Sequence, residues 1–369
     1  MKKISGIFIV LILTLLLPTI AFANVSTAYT PTSTQVTRIW GQNRYETAIK
    51  IADSLAVQLN IDFAAGEQFR NVVLASGNNF PDALAGAPLA HYAGAPILLL
   101  DTTPEASQIT WDYINSKVNK NGNVYILGGK GVIPSSFTKH LVDMGFDATH
   151  IYQIGGQDRN ETSLMIAKLL PYHNNFVLVS DSNFYDALTV ASVAAADPDP
   201  ILLVPDSGLT ADQQNYLDQL QPYVLVMGEL EKTNGKTLIN RYPKALAFAG
   251  ANRYDTNALW CVSMKNRPVV YLATGKDYPD ALAGAVLAGT PTKPYGAGVI
   301  ILTTPDILQP ETVSLLNKTA YYAKLSSVSG STVLSAVNYP QLVVFGGSAA
   351  VSDAVVNQAQ QILNGPGYP

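Results

Sequence analysis

The chain has 369 residues, 48% of them hydrophobic, with 27 acidic against 23 basic side chains and a formal net charge of −4. That balance, with no basic stripe, excludes a nucleic-acid partner, and the single cysteine, Cys261, excludes an internal disulfide framework. The length suits several units of roughly 100 residues each.

Lys2 and Lys3 precede an apolar run from Ile4 to Leu17, and Ala21-Phe-Ala23 supplies small residues for cleavage. Residues 1–23 therefore read as a secretory signal peptide, and nothing later is long and apolar enough to span a bilayer in the mature chain. Residues 24–37, rich in Ser, Thr and Pro, read as a linker.

Beyond that point a segment occurs three times, as Gly41-Gln-Asn-Arg-Tyr-Glu-Thr47, Gly156-Gln-Asp-Arg-Asn-Glu-Thr162 and Gly250-Ala-Asn-Arg-Tyr-Asp-Thr256. A second block follows each, as Asn79-Phe-Pro-Asp-Ala-Leu84, Asn183-Phe-Tyr-Asp-Ala-Leu188 and Asp277-Tyr-Pro-Asp-Ala-Leu282. A third reads Ile97-Leu98-Leu99, Ile201-Leu202-Leu203 and Ile300-Ile301-Leu302. Repeats decide the fold before any single motif does. The units are placed at 38–149, 150–245 and 246–364.

Inside each unit, short apolar runs without alternation predict strands buried on both faces: Val72 to Ala75, Ile97 to Leu100 and Val124 to Leu127. Their counterparts are Phe176 to Ser180, Ile201 to Val204 and Val224 to Met227, then Val269 to Thr274, Ile300 to Thr303 and Leu342 to Phe345. Between them, helical spacing puts Ala48, Ile51, Ala52 and Leu55 on one face and Ile109, Tyr113 and Ile114 on another. The expected fold class is α/β, with mainly parallel sheets in α/β/α sandwiches. Extra length at Asn60 to Arg70 and near Tyr321 to Asn338 reads as surface loop growth.

Asn43 with Glu46, Asp158 with Glu161 and Asn252 with Asp255 have the spacing of a capping box, so Arg44, Arg159 and Arg253 open helices. Two readings follow. Each Arg pairs with the motif aspartate (Asp82, Asp186 or Asp280), or each receives an acidic group of a polymer beside exposed helix N–H groups. Trp40, Tyr45, Tyr254 and Tyr278 fall in strand-end loops, where rings stack on sugars or simply pack. The small residues behind Asp82 and Asp280 predict close helix packing between repeats. Three large apolar residues in a row read as core. No metal-ligand spacing, Gly-x-Ser-x-Gly elbow or complete phosphate loop occurs, so no cofactor, metal site or catalytic residue is expected.

These blocks, in this order, resemble the clostridial-type cell-wall-binding repeat of the second type, found in surface-layer and other wall proteins of Gram-positive bacteria. The resemblance implies three α/β sandwiches packed as a pseudo-threefold trimer within one chain, at the cell wall or surface layer. It implies non-covalent attachment to an anionic cell-wall polysaccharide, with other surface-layer proteins as a second class of partner. It assigns anchoring to the Ile-Leu-Leu block. Polymer contact is expected at Arg44, Arg159, Arg253, Tyr45 and Tyr254, least of all in repeat 2, where Asn160 replaces the Tyr and Glu229 a Gly. A non-enzymatic binding protein is the leading reading, against an exported wall-glycan hydrolase or a laterally assembling coat protein.

Overall fold

The computed structural model describes residues 33–79, 83–171, 174–264, 269–292, 296–328 and 339–365, with side chains placed except at 324–328. The signal peptide, most of the linker, Asp82 and part of the loop before Asn338 lie outside those residues. Among the described residues, twelve strands form three all-parallel four-stranded sheets. The first has the order β3 (Ile97–Leu100), β2 (Val72–Ser76), β4 (Val124–Leu127), β5 (Ile151–Ile154). The second has the order β7 (Ile201–Val204), β6 (Asn175–Ser180), β8 (Tyr223–Met227), β9 (Leu246–Phe248). The third joins the two ends of the chain: β1 (Val36–Ile39) pairs with β12 (Gln341–Phe345), followed by β10 (Val269–Thr274) and β11 (Val299–Thr303).

All nine strands expected from apolar runs are present. The fourth strand of each sheet, immediately before each Gly-x-Asx-Arg motif, was not anticipated, because it is short and half exposed. Sequence repeats and sheets are thus out of phase by one strand: β5 and β9 open repeats 2 and 3 but complete the sheets of repeats 1 and 2. Strand β1 also begins inside the segment read as linker. Thr34 is already held there, donating its N–H to the Asn364 side chain at 2.7 Å.

Helices α1 (Arg44–Gln58), α5 (Arg159–Leu169) and α9 (Arg253–Ser263) start at the motif arginines. Their caps form as the spacing predicts, with Asn43, Asp158 and Asn252 accepting backbone N–H bonds from Glu46, Glu161 and Asp255. The motif Gly N–H donates to the motif Thr hydroxyl at 3.0 Å in all three copies. A Cβ at Gly41 would lie 2.1 Å from that of Glu46, so the turn admits only glycine. Most of this motif is therefore machinery for starting a helix.

On α1, Ala48, Ile51, Ala52 and Leu55 are buried as expected. On α3 (Gln108–Lys117), Tyr113 and Ile114 are buried as expected, but Ile109 is exposed and Thr110 and Trp111 are buried instead. The insertion at Asn60 to Arg70 is only partly surface, since Phe69 is fully buried and bridges to Val118.

The second block opens α6 (Tyr185–Ala196) and α10 (Pro279–Gly289), both buried nearly all round, while α2 (Ala87–Tyr92) follows it in repeat 1. A helix apolar on every face belongs inside a protein. Here α2 packs on α6, α6 on α10 and α10 on α2. The arginine helices complete a cyclic pattern, α1 against α10, α9 against α6 and α5 against α2. A Cβ on Gly289 would stand 2.6 Å from the Ser192 carbonyl oxygen, so the expected close approach between repeats is present. One continuous core runs through all three units, with a smaller one inside repeat 2.

The Ile-Leu-Leu residues are at most 2% exposed, on β3, β7 and β11. These are edge strands, whose free backbone groups need partners. Asn257 supplies both, donating to Ile300 O at 3.0 Å and accepting from Leu302 N at 2.9 Å, and the Ser163 hydroxyl accepts from Leu203 N. Leu98→Ala is expected to lower unfolding free energy by about 2–5 kcal/mol, through lost transfer energy and a residual cavity. Urea unfolding with an unchanged midpoint would contradict this packing role.

Candidate functional site

The geometry of parallel sheets draws attention to the carboxyl ends of the strands, where loops and helix N-termini converge. Each motif arginine reaches from its helix start to the carbonyl that ends the central strand of its own repeat. Arg44 donates to Gly77 O at 2.5 Å, Arg159 to Asp181 O at 2.6 Å and Arg253 to Gly275 O at 3.0 Å. The pairing of each Arg with its own motif aspartate is not observed for Arg159 or Arg253; Asp82 lies outside the described residues. A guanidinium carries five donors in a fixed fork, so one carbonyl bond leaves others available.

What Arg44 and Arg253 meet next comes from another repeat. Arg44 faces the β10–α10 loop of repeat 3, with Asp277 Oδ2 at 3.4 Å and Tyr278 Oη at 3.3 Å, while the Tyr278 hydroxyl donates to Gly77 O at 2.7 Å. Arg253 lies over the Tyr185 ring of repeat 2, its Cζ 3.1 Å from the ring centre, a cation–π contact. The loop that Arg159 would face holds residues 80–82, outside the described residues.

The two described motif aspartates, Asp186 and Asp280, sit under the glycine that ends the neighbouring strand. A Cβ on Gly228 would come within 2.0 Å of Asp186, and one on Gly346, at φ +94°, within 2.3 Å of Asp280. Repeat 2 is closed at this point: α8 (Gly228–Arg241) begins directly after β8, and Glu229 N donates to Asp186 Oδ2 at 3.0 Å. Burial raises the Asp186 carboxyl, with that bond pulling the other way.

Repeat 3 is open there. Between α1 and the ends of β10, β12 and β1 lies a cleft of about 580 Å³, lined by Trp40, Arg44, Lys276, Asp277, Asp280 and the Gly347–Ala350 turn among others. Asp280 receives no hydrogen bond among the described residues. Its carboxyl is pushed up to about 6 by burial and then by the Asp277 charge, with Arg44 opposing. Lys276 is exposed and has no ion pair among the described residues. Trp40 is 51% exposed.

Tyr45 and Tyr254 are half-buried, stacked where a Cβ on Gly77 or Gly275 would meet their rings at 2.6 and 2.8 Å. Asn160 fills the same slot in repeat 2, bonding Asp181 Oδ2 and Leu203 O. The structure thus brings Arg44, Trp40 and Asp280 together from opposite ends of the sequence. It adds Lys276, which the sequence reading did not single out, and Asp277, which entered there only as the first residue of a repeated block. Among the described residues there is no group of side chains fit to hold a metal ion, and no helix is long and apolar enough to cross a membrane.

Comparison with known proteins places these features. The family described as cell wall binding domain 2 (CWB2) matches residues 38–138, 153–234 and 248–356. The N-acetylmuramoyl-L-alanine amidase LytC of Bacillus subtilis is 26% identical over 333 residues, covering 89% of this chain and 59% of the amidase. The amidase enhancer of the same organism is 29% identical over 257 residues, 68% of this chain and 33% of the enhancer. The chain therefore spans well under two thirds of either relative. Among solved structures, Cwp8 and Cwp6 from Clostridium difficile superpose with TM-scores of 0.72 and 0.73 at 23% and 22% identity. They cover 89% and 91% of this chain, which covers 52% and 49% of them, so they share its fold.

Asp280 and Asp199, the latter raised to about 7 mainly by burial, give a pH signature. A folded pKa above the ordinary carboxyl value of 3.8 means that the folded state holds its proton more tightly. The resulting stability is complete below about pH 3.8 and is lost as pH rises through 6 and 7. Relative to wild type, Asp280→Asn and Asp199→Asn should gain Tm progressively between pH 4 and 8. Parallel Tm–pH curves for all three proteins would remove the assignment.

Proposed function

The chain belongs to the cell wall binding domain 2 family, and from that premise we propose that it attaches non-covalently to the Gram-positive cell wall by binding an anionic wall polysaccharide. Family membership supports association with the wall and a non-catalytic binding role. The observation that carries the finer reading is the threefold recurrence of an arginine at a helix N-terminus that spends one donor on a strand-end carbonyl and keeps others, with Arg44 and Arg253 at junctions between repeats. Such a group takes phosphate or carboxylate readily, since the helix end adds favourable field.

Three weak subsites on one rigid body add through effective concentration, so useful avidity does not need a strong single contact. The copies are unequal. Arg253 is covered by Tyr185, and the neighbouring Asp186 is already satisfied by Glu229, so this junction contributes least. Tyr45 and Tyr254 act by shaping the loops beside the arginines. The Ile-Leu-Leu residues anchor only indirectly, by holding the sheets together. Secretion by the leader at residues 1–23 and a place in a surface layer complete this reading.

The chain should sediment with purified Gram-positive walls, and less so as salt rises. Arg44→Ala should weaken binding about tenfold, a loss of about 1.4 kcal/mol, and Arg253→Ala by no more than about twofold. Wall binding that is indifferent to salt and to removal of the acidic polymer would defeat the proposal. Equal losses for the two arginines would defeat the ranking of junctions.

A further inference from the structure

The cleft between repeats 1 and 3 is not built like an anion trap. Its two cations, Arg44 and Lys276, are matched by two carboxylates, Asp277 and Asp280, so the formal charges of these four residues cancel. Asp277 is engaged with Arg44. Asp280 is different: a partly buried carboxylate that receives no hydrogen bond among the described residues and lines the cleft. A buried acceptor left without a donor costs free energy, and a ligand that brings donors recovers it. Sugar hydroxyls and amide N–H groups are such donors; phosphate and carboxylate groups are not.

Trp40, also lining the cleft, carries the second observation. Trp40 leaves half its surface exposed at the cleft, whereas Trp111 and Trp260, the chain's other tryptophans, are 1% and 3% exposed. An amphipathic ring beside polar groups offers an apolar face to the C–H face of a pyranose. Gly347 abuts the Trp40 ring, with a would-be Cβ 3.4 Å from it, so a side chain at 347 would crowd the indole. A cleft of about 580 Å³ is well within the range that takes a small ligand.

We infer that this cleft is a saccharide site, holding one pyranose unit of a glycan with its ring face on Trp40 and its hydroxyls donating to Asp280. It reads the sugar and not the net charge. The inference rests on the wall-polysaccharide reading and deepens it: the arginine junctions supply salt-dependent avidity, and this site supplies recognition of the sugar. The corresponding site in repeat 2 is filled by the start of α8, which makes the Trp40 cleft the specific one of the two.

Trp40 is also the reporter, because the other tryptophans are shielded. The full chain at pH 8, with Asp280 ionised, is titrated with fragments of two or three sugar units released from purified Gram-positive walls, and separately with inorganic polyphosphate. The fragments should shift tryptophan emission to shorter wavelength, with a midpoint that differs less than about twofold between roughly 0.05 and 0.5 M NaCl. Polyphosphate, held only through Arg44, should change it less and only at low salt. Asp280→Asn should raise the fragment midpoint about tenfold, and Trp40→Ala should abolish fragment binding by calorimetry while the variant still unfolds cooperatively. Emission that responds equally to polyphosphate, or fragment binding unaffected by Asp280→Asn, would overturn the inference. Salt-dependent sedimentation with walls and a silent Trp40 would sink it and leave the parent reading standing. A fragment-induced shift without sedimentation would do the reverse.

Discussion

Close contact among α2, α6 and α10 is the constraint from which the rest of the structure follows. These helices are rich in Ala, with two Gly in α10, so α6 and α10 approach until Gly289 lies against the Ser192 carbonyl. Small side chains contribute little apolar area individually, but they let three sheets share one continuous core. The inter-repeat junctions, and hence every candidate contact surface, exist only because that approach is possible. A larger side chain at Gly289 would push α10 of repeat 3 away from α6 of repeat 2.

Closure of the chain is the second consequence. The strand before each arginine motif completes the preceding sheet, so in a linear chain the last sheet must take its fourth strand from the N-terminus. Pairing of β1 with β12 does this, and Arg38 ties the junction by donating to Gly346 O and Val351 O at 2.9 Å. The strand leads directly into Trp40 and Arg44, which are thereby delivered to the carboxyl end of the third sheet. The open cleft is built where the two ends of the molecule meet.

Divergence among the copies is concentrated at the surface and spares the frame. The strand registers and cap hydrogen bonds repeat from unit to unit, while the loop after the third strand does not. Repeat 3 keeps Gly346 and Gly347, but in repeat 2 Glu229 starts a helix and spends its N–H on Asp186. One change of loop thus turns an open cleft into a filled one while leaving the fold intact. Repetition supplied the scaffold, and its local loss assigned the copies different work.

Much of this was legible in the residues. Repeated blocks announced three units, apolar runs located nine buried strands, and Asx-x-x-Glu or Asp spacing located three helix starts, because hydrogen bonds within a few residues decide those features. The fourth strands were not legible: Val36–Ile39 and its counterparts are short and half exposed, and only a partner strand far away in sequence makes them strands. Ile109 was misplaced for a related reason, since spacing defines a helix face only to within about one position and neighbouring elements choose among the options. For the candidate site, the arginines and aspartates could be listed, but their partners could not. Arg44 meets Asp277 and Tyr278 across more than half the chain, an arrangement set by inter-repeat packing and not by any local preference. By itself, then, the sequence determined the repeat, the α/β class and the residues able to bind. The tertiary structure alone decided which of them share a cleft and which copy stays open, because burial and proximity between distant segments are properties of the packed chain.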